Sequence, residues 1–240
     1  MSRLANWLYD HFSFTLIRHS VLQDYQRVQK IRQVIRHCEI DLVLDVGANR
    51  GQYVSMLRRR VGYRGKVISF EPVSSIHEHL LRKLGGDRNW SLQTCALGSE
   101  ETEQPINVME LDVFSSFLTP AGELPDRFRI ENKVQRTETV PVRTLTSFFE
   151  RGLIPADKNI FLKMDTQGFD FEVMKGASEY LHRIRAVQTE LSFHELYRNM
   201  PSWQEVTSFL YGAGFILAGL YEVCSENTRL LEADGIFVRR

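Results

Sequence analysis

Leu42-Val43-Leu44-Asp45-Val46-Gly47-Ala48-Asn49-Arg50-Gly51-Gln52 is the stretch whose reading decides the fold. An apolar run of strand length ends beside an acidic residue, turns through two glycines and enters a helical pattern over residues 52–61. Glycine allows tight turning and close approach of a ligand, so this is a strand–turn–helix shelf of the kind on which α/β proteins hold an adenosine-type cofactor. The turn reads G-A-N-R-G, whereas seating a pyrophosphate takes G-x-G-x-x-G. Asp45 also puts a carboxylate just before the bend, which opposes a diphosphate. It suits the cationic aminoacyl end of S-adenosyl-L-methionine, whose ammonium and sulfonium are both positive. Asp45, Gly47, Ala48, Asn49, Gly51 and Gln52 are the contacts expected from this turn.

Short apolar runs alternate with helical stretches downstream, the pattern of βαβ units in a mainly parallel sheet. Strands are expected at 42–46, 66–71, 91–97, 160–165, 186–191, 215–221 and 235–238, with helices at 52–61, 74–84, 170–184 and 203–211. The second strand ends in Glu71 and Pro72, where an acid can accept hydrogen bonds from both ribose hydroxyls. The third ends in Ala96 and Leu97, small and apolar neighbours for an adenine ring. The fourth delivers Asp165 to the ligand edge of the sheet, while Asp170 is placed to cap the helix that follows. Beyond the fifth lie Glu190 and His194. Asp165 or His194 is expected to take the acceptor's proton, with Glu190 orienting. These three could also gather a divalent cation, but nothing in the sequence fixes their separation and no metal is assigned. The last two strands are separated by a polar loop at 224–234, so the final strand is expected to run antiparallel.

With 240 residues the chain is sized for one large domain at 41–240 with a helical extension at 1–40. Residues 101–142 are polar and carry Pro105, Pro120, Pro125 and Pro141, and they read as an irregular insertion or lid. Within it Ser116, beside Ser115, could reach the cofactor. Basic and acidic residues balance at 30 each, so no overall field steers the chain to nucleic acid. Cys38, Cys95 and Cys224 have neither metal-knuckle nor disulfide spacing, which fits a reducing cytoplasm. Asp10, His11 and Arg18 interrupt the apolar pieces of the first twenty residues, so neither a signal peptide nor a membrane span is expected. Val21, Tyr25, Val28, Ile31, Val34 and Ile35 share one helical face, and Arg27, Lys30, Arg32 and Arg36 form a solvated face that permits peripheral contact with anionic lipid. The near-heptad spacing permits a partner helix and a homodimer, although packing on its own domain is the expected use.

Taken together, LDVGANRGQY, SFEP, CALG, LKMDTQGFDFEVMKGA, TELSFHELY and DGIFVRR resemble the FkbM family of S-adenosylmethionine-dependent methyltransferases. The resemblance runs from Asp41 to the C-terminus. It implies the class I methyltransferase (Rossmann-like) fold, a seven-stranded, doubly wound, mostly parallel α/β sheet with an antiparallel last strand. It also implies O-methylation of a small-molecule, glycan or glycolipid acceptor, or of a glycosylated natural product. Asp45, Gly47, Ala48, Asn49, Gly51 and Gln52 match the family's cofactor loop, Glu71 its ribose acid and Asp165 the aspartate of its D-x-x-G motif. The usual D-x-x-G-x-E reads D-T-Q-G-F-D here, with Asp170 for the commoner glutamate. Two other readings share the shelf. A nicotinamide-dependent oxidoreductase lacks its glycine spacing and any Tyr-x-x-x-Lys pair, and a non-catalytic binding domain would not need acids at four strand ends.

Overall fold

The computed structural model describes residues 22–122, 133–155 and 157–240. The expectations for the first twenty residues, and for the part of the insertion that holds Pro125, lie outside the described residues.

β1 (Leu42–Val46) and β7 (Ile160–Met164) are buried at every position and pair in parallel at the centre of the sheet. Strands covered on both faces read as continuous apolar runs, which is why both were visible in the sequence. The order is β3-β2-β1-β7-β8-β10-β9, with β2 at Lys66–Phe70, β3 at Trp90–Gln93, β8 at Ile184–Ser192, β9 at Phe215–Glu226 and β10 at Arg229–Arg239. β10 runs antiparallel to both β8 and β9, as expected of the last strand. Strand order reverses between β1 and β7, and a ligand crevice opens at such a switch point, beyond the carboxyl ends of the strands.

Side chains alternate across β1 and divide the core in two. Leu42, Leu44 and Val46 pack with Phe70, Phe148, Leu162, Val173 and Leu210. Val43 faces the other way and packs with Val28, Ile31, Val54, Leu57 and Phe161. α1 (Leu22–His37), α2 (Gln52–Met56, continued by a π turn at Leu57–Val61) and α3 (Ser74–Leu84) cover this second face. Full burial of each such side chain contributes roughly 1.5–3 kcal/mol. Val28, Ile31, Val34 and Ile35 are all buried there, so the amphipathic helix packs on its own sheet.

Four elements differ from the sequence-based expectation. The run at 91–97 is broken: β3 ends at Gln93, and β4 (Ala96–Leu97) leaves the main sheet. The segment expected to be irregular holds β5 (Thr102–Met109) and β6 (Val134–Arg143), which form an antiparallel arm in a second sheet of order β4-β6-β5. Proline masked these strands, yet Pro105 lies on the edge strand β5, and Pro141 precedes the two-residue pairing of β6 with β4. The long helix expected at 170–184 is α5 (Asp170–Lys175) followed by a separate 3-10 turn at Ser178–Arg183. The loop expected at 224–234 is strand except for the tight turn at Asn227 and Thr228, with Asn227 at φ +54°. Two further helices, α4 (Leu145–Glu150) and α6 (Trp203–Gly212), cover the first face.

Candidate active site

A cavity of about 610 Å³ opens at the carboxyl ends of β1, β2, β7 and β8. Gly47, Ala48, Asn49 and Gln52 line it from the glycine turn, Glu71 and Pro72 from the end of β2, and Ala96 and Leu97 from β4. Asp165 and Glu190 line it from β7 and β8. Ten expected site residues thus meet around one space.

Gly47 shapes the cradle. Its φ of +72° suits glycine, and a Cβ there would lie 2.0 Å from the carbonyl oxygen of Asp165. The amides of Gly47 and Ala48 both donate to the Phe70 carbonyl, at 3.1 Å each, so the turn is tied to β2. Gly51 does not line the cavity. It starts α2 at φ +71°, and a Cβ there would lie 2.6 Å from the Trp90 ring, so it supports the turn from behind.

Asp45 is not among the lining residues and is fully buried, so the structure does not bear out a direct contact from it. Odd positions of β1 face α1 and α2, which sends the Asp45 carboxylate beneath the turn. Register places it between Ser69 on β2 and Lys163 on β7. Ser69 Oγ donates to Asp45 Oδ2 at 2.9 Å, Trp90 Nε1 donates to Ser69 Oγ, and Lys163 Nζ lies 3.2 Å from Asp45 Oδ1. Lys163 Nζ also donates to the carbonyls of Val46 and Gly47 and lies 3.6 Å from Asp165 Oδ2. Burial works against the charge on Lys163, but Asp45 and Asp165 outweigh it and hold its pKa above the ordinary lysine value. A lone lysine in an apolar strand gave no signal of this in the sequence.

Glu71 is 4% exposed and accepts from the amides of Asn49 at 2.7 Å and Val73 at 2.9 Å. Burial pushes its pKa up to about 7, against the pull of those two amides. Ile106, Phe117, Phe169 and Val73 join Ala96 and Leu97 as an apolar wall, with the two phenylalanine rings 4.7 Å apart. Ser116 is buried outside the cavity, where its Oγ donates to the Gln167 carbonyl; Ser115 lines the cavity instead. Asp112, on the 3-10 turn Asp112–Phe114 of the arm, accepts from Arg50 Nε at 2.9 Å, from Arg50 Nη2 at 2.7 Å and from Asn49 Nδ2 at 3.3 Å. The arm is thereby fastened to the glycine turn.

Asp165 is open to the cavity, its side chain 43% exposed. Glu190 sits deeper, and burial raises its pKa well above the ordinary value, with Asp165, Glu232, Asp170 and Asp234 adding to the rise. His194 is exposed two residues beyond β8 and does not line the cavity. Asp170 is not the expected helix cap: Phe169 holds that position. Its buried carboxylate accepts from Thr166 N, Thr166 Oγ1, Thr189 Oγ1 and Glu190 N, binding the turn after β7 to β8. Arg27, expected on a solvated face, turns inward to Asp234 at 2.7 Å and Asp24 at 2.9 Å. With Arg60, Tyr221 and Glu222 it forms the far wall of the cavity, so α1 contributes directly to the site.

A family model described as the methyltransferase FkbM domain matches residues 45–217. The chain belongs to the FkbM methyltransferase family. S-adenosyl-L-methionine is therefore its methyl donor, and the dinucleotide reading falls. Against curated protein sequences, nothing matches. Among solved structures, the METTL16 MTase domain is similar with a TM-score of 0.51 at 9% identity, over 98% of this chain and 78% of that one. An rRNA methylase from Streptococcus thermophilus gives 0.48 at 10% identity, over 94% and 99% of the two chains. Magnesium protoporphyrin IX methyltransferase from Synechocystis PCC 6803, with bound SAM, gives 0.46 at 11%, over 99% and 95%. Among the described residues, no helix of this FkbM methyltransferase is long and apolar enough to cross a membrane, and no cluster of ligating side chains could hold a metal.

Proposed function

We propose that this FkbM methyltransferase O-methylates a hydroxyl of a sugar, presented as glycolipid, polysaccharide or glycosylated natural product, in the cytoplasm. The observation that carries the reading is the far wall. There Asp24, Arg27, Arg60, Tyr221 and Glu222 line the cavity, hydrogen-bonding groups of both signs around one aromatic ring. Such a wall suits a polyhydroxylated acceptor. Acids outnumber bases along the whole lining, which disfavours a phosphodiester backbone and hence nucleic acid.

The cradle fits the methyl donor. Gly47 leaves the backbone bare where a Cβ would fill the space, Glu71 lines the cavity beside the turn as the acid for the ribose hydroxyls, and Ala96, Leu97 and Phe117 offer an adenine its flat apolar surroundings. Gly47, Ala48, Asn49, Gln52, Glu71 and Pro72 would hold the cofactor. When bound it supplies an electrophilic methyl on a positively charged sulfur. Asp45, paired with Lys163, acts from beneath by fixing the turn rather than by touching the cofactor.

The acceptor hydroxyl would lose its proton as its oxygen takes the methyl, the methyl–sulfur bond breaking with its electron pair left on sulfur in S-adenosylhomocysteine. Asp165, more open than its neighbour Glu190, receives that proton, and Glu190 orients the acceptor. Orientation can provide on the order of 7–11 kcal/mol of the barrier, and general base help roughly 10²–10⁴-fold. Incubation with methyl-radiolabelled S-adenosylmethionine and a cell extract, followed by separation of lipid, glycan, RNA and protein, tests the acceptor class. Label in the glycolipid or polysaccharide fraction supports the reading; label confined to RNA or protein overturns it.

A further inference from the structure

The turn between β7 and α5 holds a residue with no role so far. Gln167 is 8% exposed and has a φ of +54°, a left-handed backbone that a glutamine keeps only where its surroundings compel it. Ser116 Oγ donates to its carbonyl at 2.7 Å, so the arm helps to hold the turn in this shape. Its side-chain Nε2 donates to Asp165 Oδ1 at 3.0 Å and to Glu190 Oε2 at 3.1 Å. Its Oε1 accepts from Tyr197 Oη at 3.1 Å. An amide nitrogen has two hydrogens and accepts nothing, so each hydrogen is committed to one carboxyl group. The ionised carboxylates, which only accept, set which way the amide faces, and Tyr197 Oη, which also lies 3.3 Å from the Phe114 carbonyl, meets its oxygen end.

We propose that Gln167 is a positioning residue for methyl transfer: its amide ties Asp165 and Glu190 into one carboxyl pair at the reacting end of the cavity, and Tyr197 supports the oxygen end of the amide. The proposal rests on the reading of Asp165 as proton acceptor.

Two carboxyl groups on one nitrogen repel when both are ionised, and burial together with the Asp165 charge raises the Glu190 pKa well above its ordinary value. Lys163 of β7 faces the pair from the Asp165 side, Asp170 of α5 from below, and Glu232 and Asp234 of β10 from the Glu190 side, with Arg27 beyond Asp234. Every hydrogen bond from the amide favours the ionised form that accepts it. Without the amide Glu190 holds its proton to higher pH. A ligand with a positive sulfur prefers the ionised pair, so its affinity weakens as pH falls through the titration. S-adenosylhomocysteine, whose sulfur is neutral, responds less.

Calorimetric affinities of S-adenosylmethionine and S-adenosylhomocysteine, measured from mildly acid to mildly alkaline pH, test this on the intact chain. In Gln167→Leu the pH below which S-adenosylmethionine affinity falls is expected to move up by about one unit, the size of one lost charge-assisted hydrogen bond. The alkaline affinity stays near that of the unsubstituted protein, and the S-adenosylhomocysteine profile moves less. Tyr197→Phe keeps the ring and removes the support at the amide's oxygen end, and it moves the profile the same way by a smaller amount; it carries the test alone if Gln167→Leu does not fold. Profiles of the folded variants that superimpose on the unsubstituted one overturn the proposal. Asp165→Asn separates the two ideas: label transfer at the unsubstituted rate in that variant overturns the reading of Asp165 as proton acceptor, whatever the profile of Gln167→Leu.

Discussion

Lys163 Nζ lies 3.2 Å from Asp45 Oδ1 on the neighbouring strand, and both side chains are buried beneath the glycine turn, 5% and 0% exposed. The pair is set by register: Asp45 and Lys163 are Cα partners on β1 and β7, so their side chains share a face. The acid that first suggests a cationic ligand is in fact neutralised from within. Its effect on the cavity is to hold the turn.

Lys163→Met leaves the Asp45 carboxylate buried and without its cation. Breaking a buried pair in this way costs about 3–5 kcal/mol, and urea unfolding should show a loss of that size. Lys163→Met combined with Asp45→Asn should recover a good part of it, because no uncompensated charge is left behind. An unchanged unfolding midpoint for the single variant would show that Asp45 does not depend on the ammonium.

Glu71 makes stability depend on pH in an unusual direction. Its pKa rises to about 7 on folding, from an ordinary 4.5, so between these pH values the folded protein binds more protons than the unfolded chain. Stability from this group is present at the acid end and is lost as pH rises through 7, by on the order of a few kcal/mol. Glu71→Gln should flatten the fall in thermal midpoint over that window. S-adenosylmethionine should also show weakened affinity for the variant, since the ribose hydroxyls lose a carboxylate acceptor. A slope identical in the two proteins would mean that Glu71 is ionised throughout.

How much of this could be read from the sequence follows from what each residue faces. β1 and β7 were legible because burial on both faces leaves runs that are apolar but for Asp45 and Lys163, and the turn was legible because Gly47 and Gly51 combine positive φ with no room for a Cβ. β5, β6 and the ends of β9 and β10 were not, because a small side sheet and a cavity wall put prolines and acids in strands. Glu232 and Asp234 looked like loop residues, yet they are buried against Ser192 and Arg27. Lys163, Gln167 and Tyr197 take their roles in large part from partners distant in sequence, Asp45, Glu190 and Gln167 in turn, which no local pattern reports.

Arg50 and Asp112 fasten the arm to the glycine turn by an exposed ion pair, the arginine side chain 58% exposed. Exposed pairs add little to global stability, so Asp112→Ala should leave the unfolding midpoint in place. Its effect should fall on the cavity mouth: stopped-flow release of S-adenosylmethionine is expected to be several-fold faster, and the difference from the unsubstituted protein should shrink at high salt. Equal release rates at low salt would show that the arm does not control access.

Asp165 and His194 divide the proton-transfer question cleanly, because the structure places one in the cavity and the other on the surface. With the donor saturating and an extract fraction as acceptor, Asp165→Asn should slow label transfer by roughly 10²–10⁴-fold, the usual contribution of a general base. It should weaken donor affinity far less, since the cradle from Gly47 to Pro72 is untouched. His194→Ala should leave the rate as it is. The opposite pattern, a slow His194→Ala beside a normal Asp165→Asn, would require the segment after β8 to swing its imidazole over the acceptor, and would move the base from the strand end to the loop. Neither variant slowing transfer would leave the rate to orientation alone, with the acceptor's proton passing to water.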